Sequence, residues 1–319
     1  MTFATIQSGA INGVGLMRAV KGVLRVIKGT VEALGILGRF RPDVVLLTGG
    51  FVGVPVSVAA WVRRVPSVLV LPDIEPGMAL KLMARFATKV AATTEASAQF
   101  IAHGKMTVTG YPVREVFYAV DRKAARAKLG IGPDERVLLV FGGSKGARSI
   151  NRAIVGQLDA LLTRCVLIHI SGANDWQEVN AAHAALSATQ QGRYRVFAYL
   201  HEEMADAMAA ADLVVCRSGA SALGELPFVG LPAVLVPYPY AWRFQKVNAA
   251  YLVERGAAVM LEDAKLVASQ GGLVDVVVGL LDSPATLADM RTAALALSRR
   301  DGAAAIAALV CETAGFSSR

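Results

Sequence analysis

Two doubly wound α/β domains are predicted by three features of this 319-residue chain. Apolar runs of about four to eight residues alternate with longer stretches of helical period. The runs are nearly unbroken in Val, Ile and Leu, as parallel strands covered on both faces require. A polar, turn-rich stretch, "YPVREVFYAVDRKAARAKLGIGPDE" (111–135), interrupts the alternation and marks a boundary. The division read from it is a first domain at 1–120, a linker at 121–132 and a second domain at 133–319, with a ligand cleft between the domains.

The elements follow in order. Met17, Val20, Leu24, Ile27, Val31 and Leu34 recur at helical spacing beside Arg18, Lys21, Arg25 and Lys28, which predicts an amphipathic basic helix. Its apolar stripe reads as core-facing, with a helix resting on anionic lipid as the alternative. "DVVLLTG" (43–49), "SVLVLP" (67–72), "KVAATT" (89–94) and "MTVTG" (106–110) read as buried strands. The uncharged run Val44 to Val62 is broken by Gly49, Gly50, Gly53 and Pro55, so it reads as strand, tight loop and helix start rather than a membrane span. "RVLLVFGG", "CVLIHISG", "YRVFAYL", "DLVVCRSG", "PAVLVPYP" and "AAVMLE" supply the strands of the second region.

Composition bounds the function. With 54% hydrophobic and 18% charged residues the chain can bury sizeable cores, and its net charge of +8 suits an anionic partner: nucleic acid, an anionic bilayer or a phosphorylated ligand. Cys165, Cys216 and Cys311 are scattered without C-x-x-C spacing, so neither a disulfide framework nor a zinc site is indicated. The opening residues show no secretory pattern, and a reducing cytoplasm is the expectation. His103, His169, His183 and His201 lack metal-ligand spacing and are expected in surface or capping roles.

Two stretches carry chemistry. In "LVFGGSKGARSIN" (139–151) an apolar strand runs into Gly142, Gly143 and Gly146 and then a helix, an arrangement whose bare backbone and free amides suit phosphate. Ser144 adds a hydroxyl, and Lys145 or Arg148 a charge. The spacing matches neither the nucleotide-hydrolase P-loop nor the dinucleotide fingerprint. In "CRSGASALGELPFVGLPAVLVPYPYAWRFQKVNAAYL" (216–252), Arg217, Ser218, Gly219 and Ser221 follow a strand, and Glu225 is placed to accept both hydroxyls of a ribose. Gln245 and Asn248, on one helix face, offer amides to sugar hydroxyls.

At these residues the chain resembles the MurG-type glycosyltransferases, the UDP-N-acetylglucosamine transferases that convert lipid I to lipid II in peptidoglycan synthesis. "RPDVVLLTGGFVGVP", "VTGYPVRE", "GGSKGARSIN", "ADLVVCRSGASALGEL" and "PYPYAWRFQKVNA" match the family's "kPDvvigtGGYvsgP", "vtGnPvR", "GGSqGArslN", "ADlvisRaGAsTvaEl" and "PlPyAadnHQtkNA", in that order. The resemblance implies a GT-B fold and inverting transfer of N-acetylglucosamine from UDP-GlcNAc to the 4-hydroxyl of the muramyl sugar, with no cofactor or metal. It implies donor-binding roles for Arg114 and for Gly143 and Ser144 at the phosphates. Within the 200–204 segment it puts His201 and Met204 at the uracil; Ser221 joins the donor site, with Glu225 at the ribose and Gln245 at the sugar. Gly49, Gly50 and Asp73 would face an undecaprenyl-diphosphate-linked acceptor. The implied setting is the anionic membrane surface on the cytoplasmic face of the bacterial plasma membrane, as a peripheral protein without nucleic acid.

Three departures qualify the match. The family's "HEqNavpG" appears as "VLPDIEPG" (70–77), which keeps Pro76 and Gly77 and sets Asp73 where Asn stands. Asp73 is then the candidate catalytic base. The family's "HQ" becomes Phe244-Gln245, losing the imidazole. The family's opening "GGTGGH" loop has no counterpart, which predicts a truncated reading frame or a separate chain supplying the N-terminal strands, and apolar strand edges left unpaired. A glycolipid synthase using another UDP-sugar and a non-catalytic nucleotide-sugar-binding remnant are the alternative readings.

Overall fold

The computed structural model describes residues 3–9, 16–143, 145–239 and 244–316. The chain divides into two compact units, residues 1–112 with 301–319, and residues 113–300.

In the first unit β1 (Val45–Leu47), β2 (Ser67–Leu71), β3 (Lys89–Ala92) and β4 (Met106–Val108) form a parallel sheet in chain order. All four coincide with predicted apolar runs. The amphipathic helix forms as Leu16–Phe40; Leu34 of the predicted stripe packs on the core, the Met17 side chain lies outside the described residues, and the four positions between them depart from the core-facing reading. Val20, Leu24, Ile27 and Val31 are 53%, 61%, 57% and 65% exposed. The helix buries its small side instead: Ala33 and Leu37 pack against Ala59 and Ala60 of the helix Gly53–Val62. A Cβ on Gly29 would lie 1.9 Å from the Gln7 carbonyl oxygen. Small residues admit this close backbone approach, and a face of large aliphatics would hold the segments apart.

The C-terminal residues correct the predicted division. The helix Gly302–Thr313 lays Ile306 and Leu309 on Val68 of β2 and Ala91 of β3. Residues 301–319 therefore belong to the first unit, whose sheet face they cover, and not to the second domain.

In the second unit β5 (Val137–Phe141), β6 (Val166–Ile170), β7 (Tyr194–Phe197), β8 (Leu213–Cys216), β9 (Ala233–Leu235) and β10 (Ala258–Met260) form a six-stranded parallel sheet ordered β10-β9-β8-β5-β6-β7. The order reverses between β5 and β8, so the crevice beyond their carboxyl ends is where such a sheet binds ligands. The predicted linker at 121–132 is built into this unit. Asp121 caps the helix Arg122–Lys128 by accepting from the Ala124 amide at 2.9 Å. Arg122 donates to the Ala211 carbonyl at 2.6 Å, and Asp212 pairs with Arg122 and accepts from the Val137 amide at 2.8 Å. These contacts fasten the segment beneath β5 and β8.

His169 departs from its expected surface role. It sits in β6, a strand buried along its whole length, with Nδ1 2.8 Å from the Tyr194 hydroxyl and Nε2 3.0 Å from Asn151 Oδ1. Burial pushes its pKa down to about 4 from an ordinary 6.5. The unfolded chain takes up this proton below 6.5 and the folded chain does not. The stabilising contribution is therefore complete above about pH 6.5, declines as the pH falls, and is gone below about pH 4, a total of about 3 kcal/mol. Urea denaturation between these pH values is expected to show that decline, and His169→Gln, which cannot titrate, to flatten it.

Candidate functional site

The glycine turn lies at the switch point. Phe141 ends β5, Gly142–Gly146 make the turn, and the helix Arg148–Val155 follows. A Cβ on Gly142 would stand 2.2 Å from the Ala147 nitrogen, and one on Gly146, whose φ is +82°, would stand 2.1 Å from the Ser171 carbonyl oxygen. Only glycine fits these two positions. Gly143, at φ +93°, has nothing within 4 Å of where its Cβ would point, so that side of the turn is open. The turn thus brings bare backbone and the positive end of a helix to one crevice, an arrangement for an anion. Ser144 lies outside the described residues.

The loop after β8 supplies the opposite wall. Arg217 is half-buried and donates through Nη1 to Asp263 Oδ2 at 2.6 Å and through Nη2 to Ser149 Oγ at 2.8 Å, with its guanidinium 5.4 Å from the centre of the Tyr238 ring. Asp263 comes from the loop after β10 and lies in none of the motifs singled out in the sequence. Asn248, expected to offer its amide to a ligand, is fully buried and donates to the Ser218 carbonyl at 3.2 Å. It pins the helix Phe244–Glu254 to this loop, with Ser218 Oγ donating back to the Gln245 carbonyl at 2.8 Å. Gln245 accepts from the Tyr238 amide at 2.9 Å through its side-chain oxygen, which leaves its NH2 group as a donor to the cavity.

Glu225 begins the helix Glu225–Val229, and Arg114 meets it from the start of the unit, Nε to Oε1 at 3.3 Å. Arg114 also donates to the His201 carbonyl at 3.2 Å and lies over the Phe117 ring. Burial raises the Glu225 carboxyl pKa above the ordinary 4.5, and the Arg114 charge opposes that rise.

Two adjoining cavities result. The smaller, about 180 Å3, is bounded by Arg114, Tyr199, Leu200, Met204, Ser221 and Glu225. The larger, about 710 Å3, runs over the glycine turn past Arg148, Arg217, Tyr238 and Gln245. Phe141, Gly143 and Ser221 line both. Arg114, Gly143, Met204, Ser221, Glu225 and Gln245 are thus brought together. His201 contributes its carbonyl to Arg114, while its ring packs edge-on against Tyr199. Gly49 and Gly50, with φ of +114° and +74°, follow β1, and Asp73 follows β2, at the carboxyl ends of the first unit's strands. Tyr199 was not anticipated: it lies one residue before the 200–204 segment and carries no polar spacing signal.

Two family descriptions match the chain: the glycosyltransferase family 28 C-terminal domain over residues 137–306 and its N-terminal domain over residues 1–92. The chain belongs to glycosyltransferase family 28. Its relatives include a UDP-N-acetylglucosamine–N-acetylmuramyl-(pentapeptide) pyrophosphoryl-undecaprenol N-acetylglucosamine transferase of Roseiflexus sp. (strain RS-1). That protein is 40% identical over 97% of this chain and 78% of its own length. A protein of the same description from Desulforudis audaxviator is 38% identical over 97% of this chain and 85% of its own length. Among solved structures, MurG of Acinetobacter baumannii superimposes with a TM-score of 0.72 at 22% identity, over 94% of this chain and 83% of that one. The Neisseria meningitidis UDP-GlcNAc 2-epimerase bound to UDP-GlcNAc gives 0.65 at 14% identity, over 94% and 84% of the two chains. This family 28 glycosyltransferase therefore has the GT-B fold of two parallel-sheet α/β domains.

The Arg217–Asp263 pair is the most enclosed ion pair at the site. Arg217→Leu leaves the Asp263 carboxylate, to which the Ser149 hydroxyl donates at 2.7 Å, without its cationic partner, and a loss of roughly 3 kcal/mol is expected, measured by urea denaturation of variant and parent.

Proposed function

We propose that this enzyme transfers N-acetylglucosamine from UDP-GlcNAc to the 4-hydroxyl of the muramyl sugar of a lipid-diphosphate-linked acceptor, forming lipid II at an anionic membrane surface. The observation that carries the donor half is the pair of joined cavities around the glycine turn. Uracil occupies the smaller cavity beside Leu200 and Met204, and the ribose hydroxyls donate to the Glu225 carboxylate. The diphosphate lies over the turn, where amides and the helix end face its charge. The sugar reaches Gln245, whose NH2 group donates to a hydroxyl oxygen because its carbonyl is held by Tyr238.

Transfer follows from that placement. The acceptor hydroxyl attacks the anomeric carbon from the face opposite UDP, inverting it, as the bond to the diphosphate oxygen breaks. Charge grows on the departing diphosphate, and fixed donors at the turn stabilise it with little reorganisation. Asp73 takes the hydroxyl proton, and Gly49 and Gly50 bind the acceptor diphosphate, roles given by their motif positions. Arg114 exchanges its bond to Glu225 for the donor phosphates.

The membrane half rests on the long first-unit helix. Its exposed stripe of Val20, Leu24, Ile27 and Val31 runs beside exposed Lys21, Arg25 and Lys28, an apolar face edged by positive charge. Such a helix beds its aliphatics among acyl chains while each basic residue adds about 1 kcal/mol at an anionic surface. Among the described residues no helix is long and apolar enough to cross a membrane. The surface concerned is the cytoplasmic face of the plasma membrane, where the nucleotide sugar is found.

Three measurements test this reading. Calorimetry is expected to show UDP-GlcNAc binding weakened roughly tenfold or more by Glu225→Ala and by Gln245→Ala, the loss of one well-placed polar contact in each case. Only the ionised Glu225 can accept two hydroxyls; because its pKa is raised, UDP affinity is expected to start falling on acidification at a pH above 4.5, and to keep its neutral-pH value longer in Glu225→Gln. Co-sedimentation with vesicles containing an anionic lipid is expected for the parent, and to be lost in Leu24→Gln/Ile27→Gln.

A further inference from the structure

A chain of buried polar groups runs from the core of the second unit to the wall of the larger cavity. Asn151, 1% exposed, lies within 2.8 Å of the Ser171 carbonyl and 2.9 Å of Asp175 Oδ2 through one side-chain atom. A carbonyl and a carboxylate oxygen are both acceptors, so that atom is the NH2 group and Oδ1 faces His169. His169 Nε2 must then carry the proton donated to Oδ1, and Nδ1 must accept from the Tyr194 hydroxyl. Every donor therefore points the same way, from Tyr194 through His169 and Asn151 to Asp175.

Asp175 is a nearly buried carboxylate in the wall of a cavity suited to an anion. Its other oxygen accepts from Arg148 Nε at 3.0 Å. Arg148 opens the helix after the glycine turn and lines the same cavity, and among the described residues only its Nε has a side-chain partner. Tethering one edge of a guanidinium leaves the other fixed in direction, which lowers the entropy lost when it binds a phosphate. The same network holds the Ser171 carbonyl against which Gly146 is packed.

Resting on the donor-site reading above, we infer that Arg148 binds the donor diphosphate and that Tyr194, His169, Asn151 and Asp175 are positioning residues that aim it. The sequence offers Lys145 or Arg148 as a charge at the turn without choosing between them, and assigns no positioning role to Tyr194, His169, Asn151 or Asp175.

The test is a cycle of Arg148→Met, Tyr194→Phe and the double variant, titrated with UDP and with uridine. Arg148→Met, on an exposed side chain, is expected to weaken UDP roughly tenfold, as loss of a charge-assisted hydrogen bond does, and to leave uridine unchanged. Tyr194→Phe is expected to weaken UDP by a smaller factor, again without effect on uridine, and the double variant to bind UDP no more weakly than Arg148→Met. Equal UDP affinity in Arg148→Met and parent overturns the inference. So does a Tyr194→Phe factor that multiplies in the double variant, or one that uridine shares. Should Tyr194→Phe fail to fold, His169→Gln takes its place in the same cycle. A parent that binds no UDP overturns the donor-site reading itself, whereas a parent that binds UDP beside an unaffected Arg148→Met overturns the relay alone.

Discussion

The constraint on which the proposed donor site depends is the contact between two backbones, the turn after β5 against the Ser171–Gly172 segment after β6. Gly146 approaches Ser171 so closely that a methyl group would sit 2.1 Å from a carbonyl oxygen, well inside van der Waals contact. The approach draws the turn back over the sheet and leaves the open side of Gly143 facing the crevice. It also sets the start of the Arg148–Val155 helix against that crevice, so the helix end and the bare amides act on one volume. A side chain at Gly142 or Gly146 would lift the turn and dissolve this geometry.

Around that contact the polar groups divide by function. Some hold loops to one another: Arg217 with Asp263 and Ser149 joins the ends of β8, β5 and β10, and Asn248 with Ser218 fixes the helix carrying Gln245. Others are presented to the cavities, their remaining hydrogen-bonding capacity set by what they have already engaged. Gln245 faces the cavity as a donor because its oxygen is used, and Arg148 faces it with one guanidinium edge because the other is tethered. Preorganisation of this kind suits a reaction whose barrier lies in charge accumulating on a leaving diphosphate.

The strands were readable because both faces of each sheet are covered, which forces unbroken aliphatic runs. The glycine turn and Glu225 were readable because each sits a fixed distance beyond such a run. Asn248 misled because an amide on a helix shows its chemistry in sequence but not its direction, and here it points inward. Polar character misled at 121–132 as well, where Arg122 and Arg126 serve buried backbone carbonyls instead of solvent. The stripe of the first helix misled in the opposite sense. Periodicity locates an apolar face, and whether the core takes that face or the small-residue face is decided by how closely the neighbouring backbone must come.

By itself the sequence determined the strands along the chain, the two-sheet class, the position of the glycine turn and the acidic and amide side chains near it, since all of these follow from local pattern and short spacing. Tertiary structure alone decided which distant residues close the site. Asp263, Tyr199 and the Tyr194–His169–Asn151–Asp175 chain arrive from separate strands and loops, and the last helix returns to cover the first sheet. Their meeting depends on the strand order within each sheet and on the helices packed against it, which no local window of residues encodes.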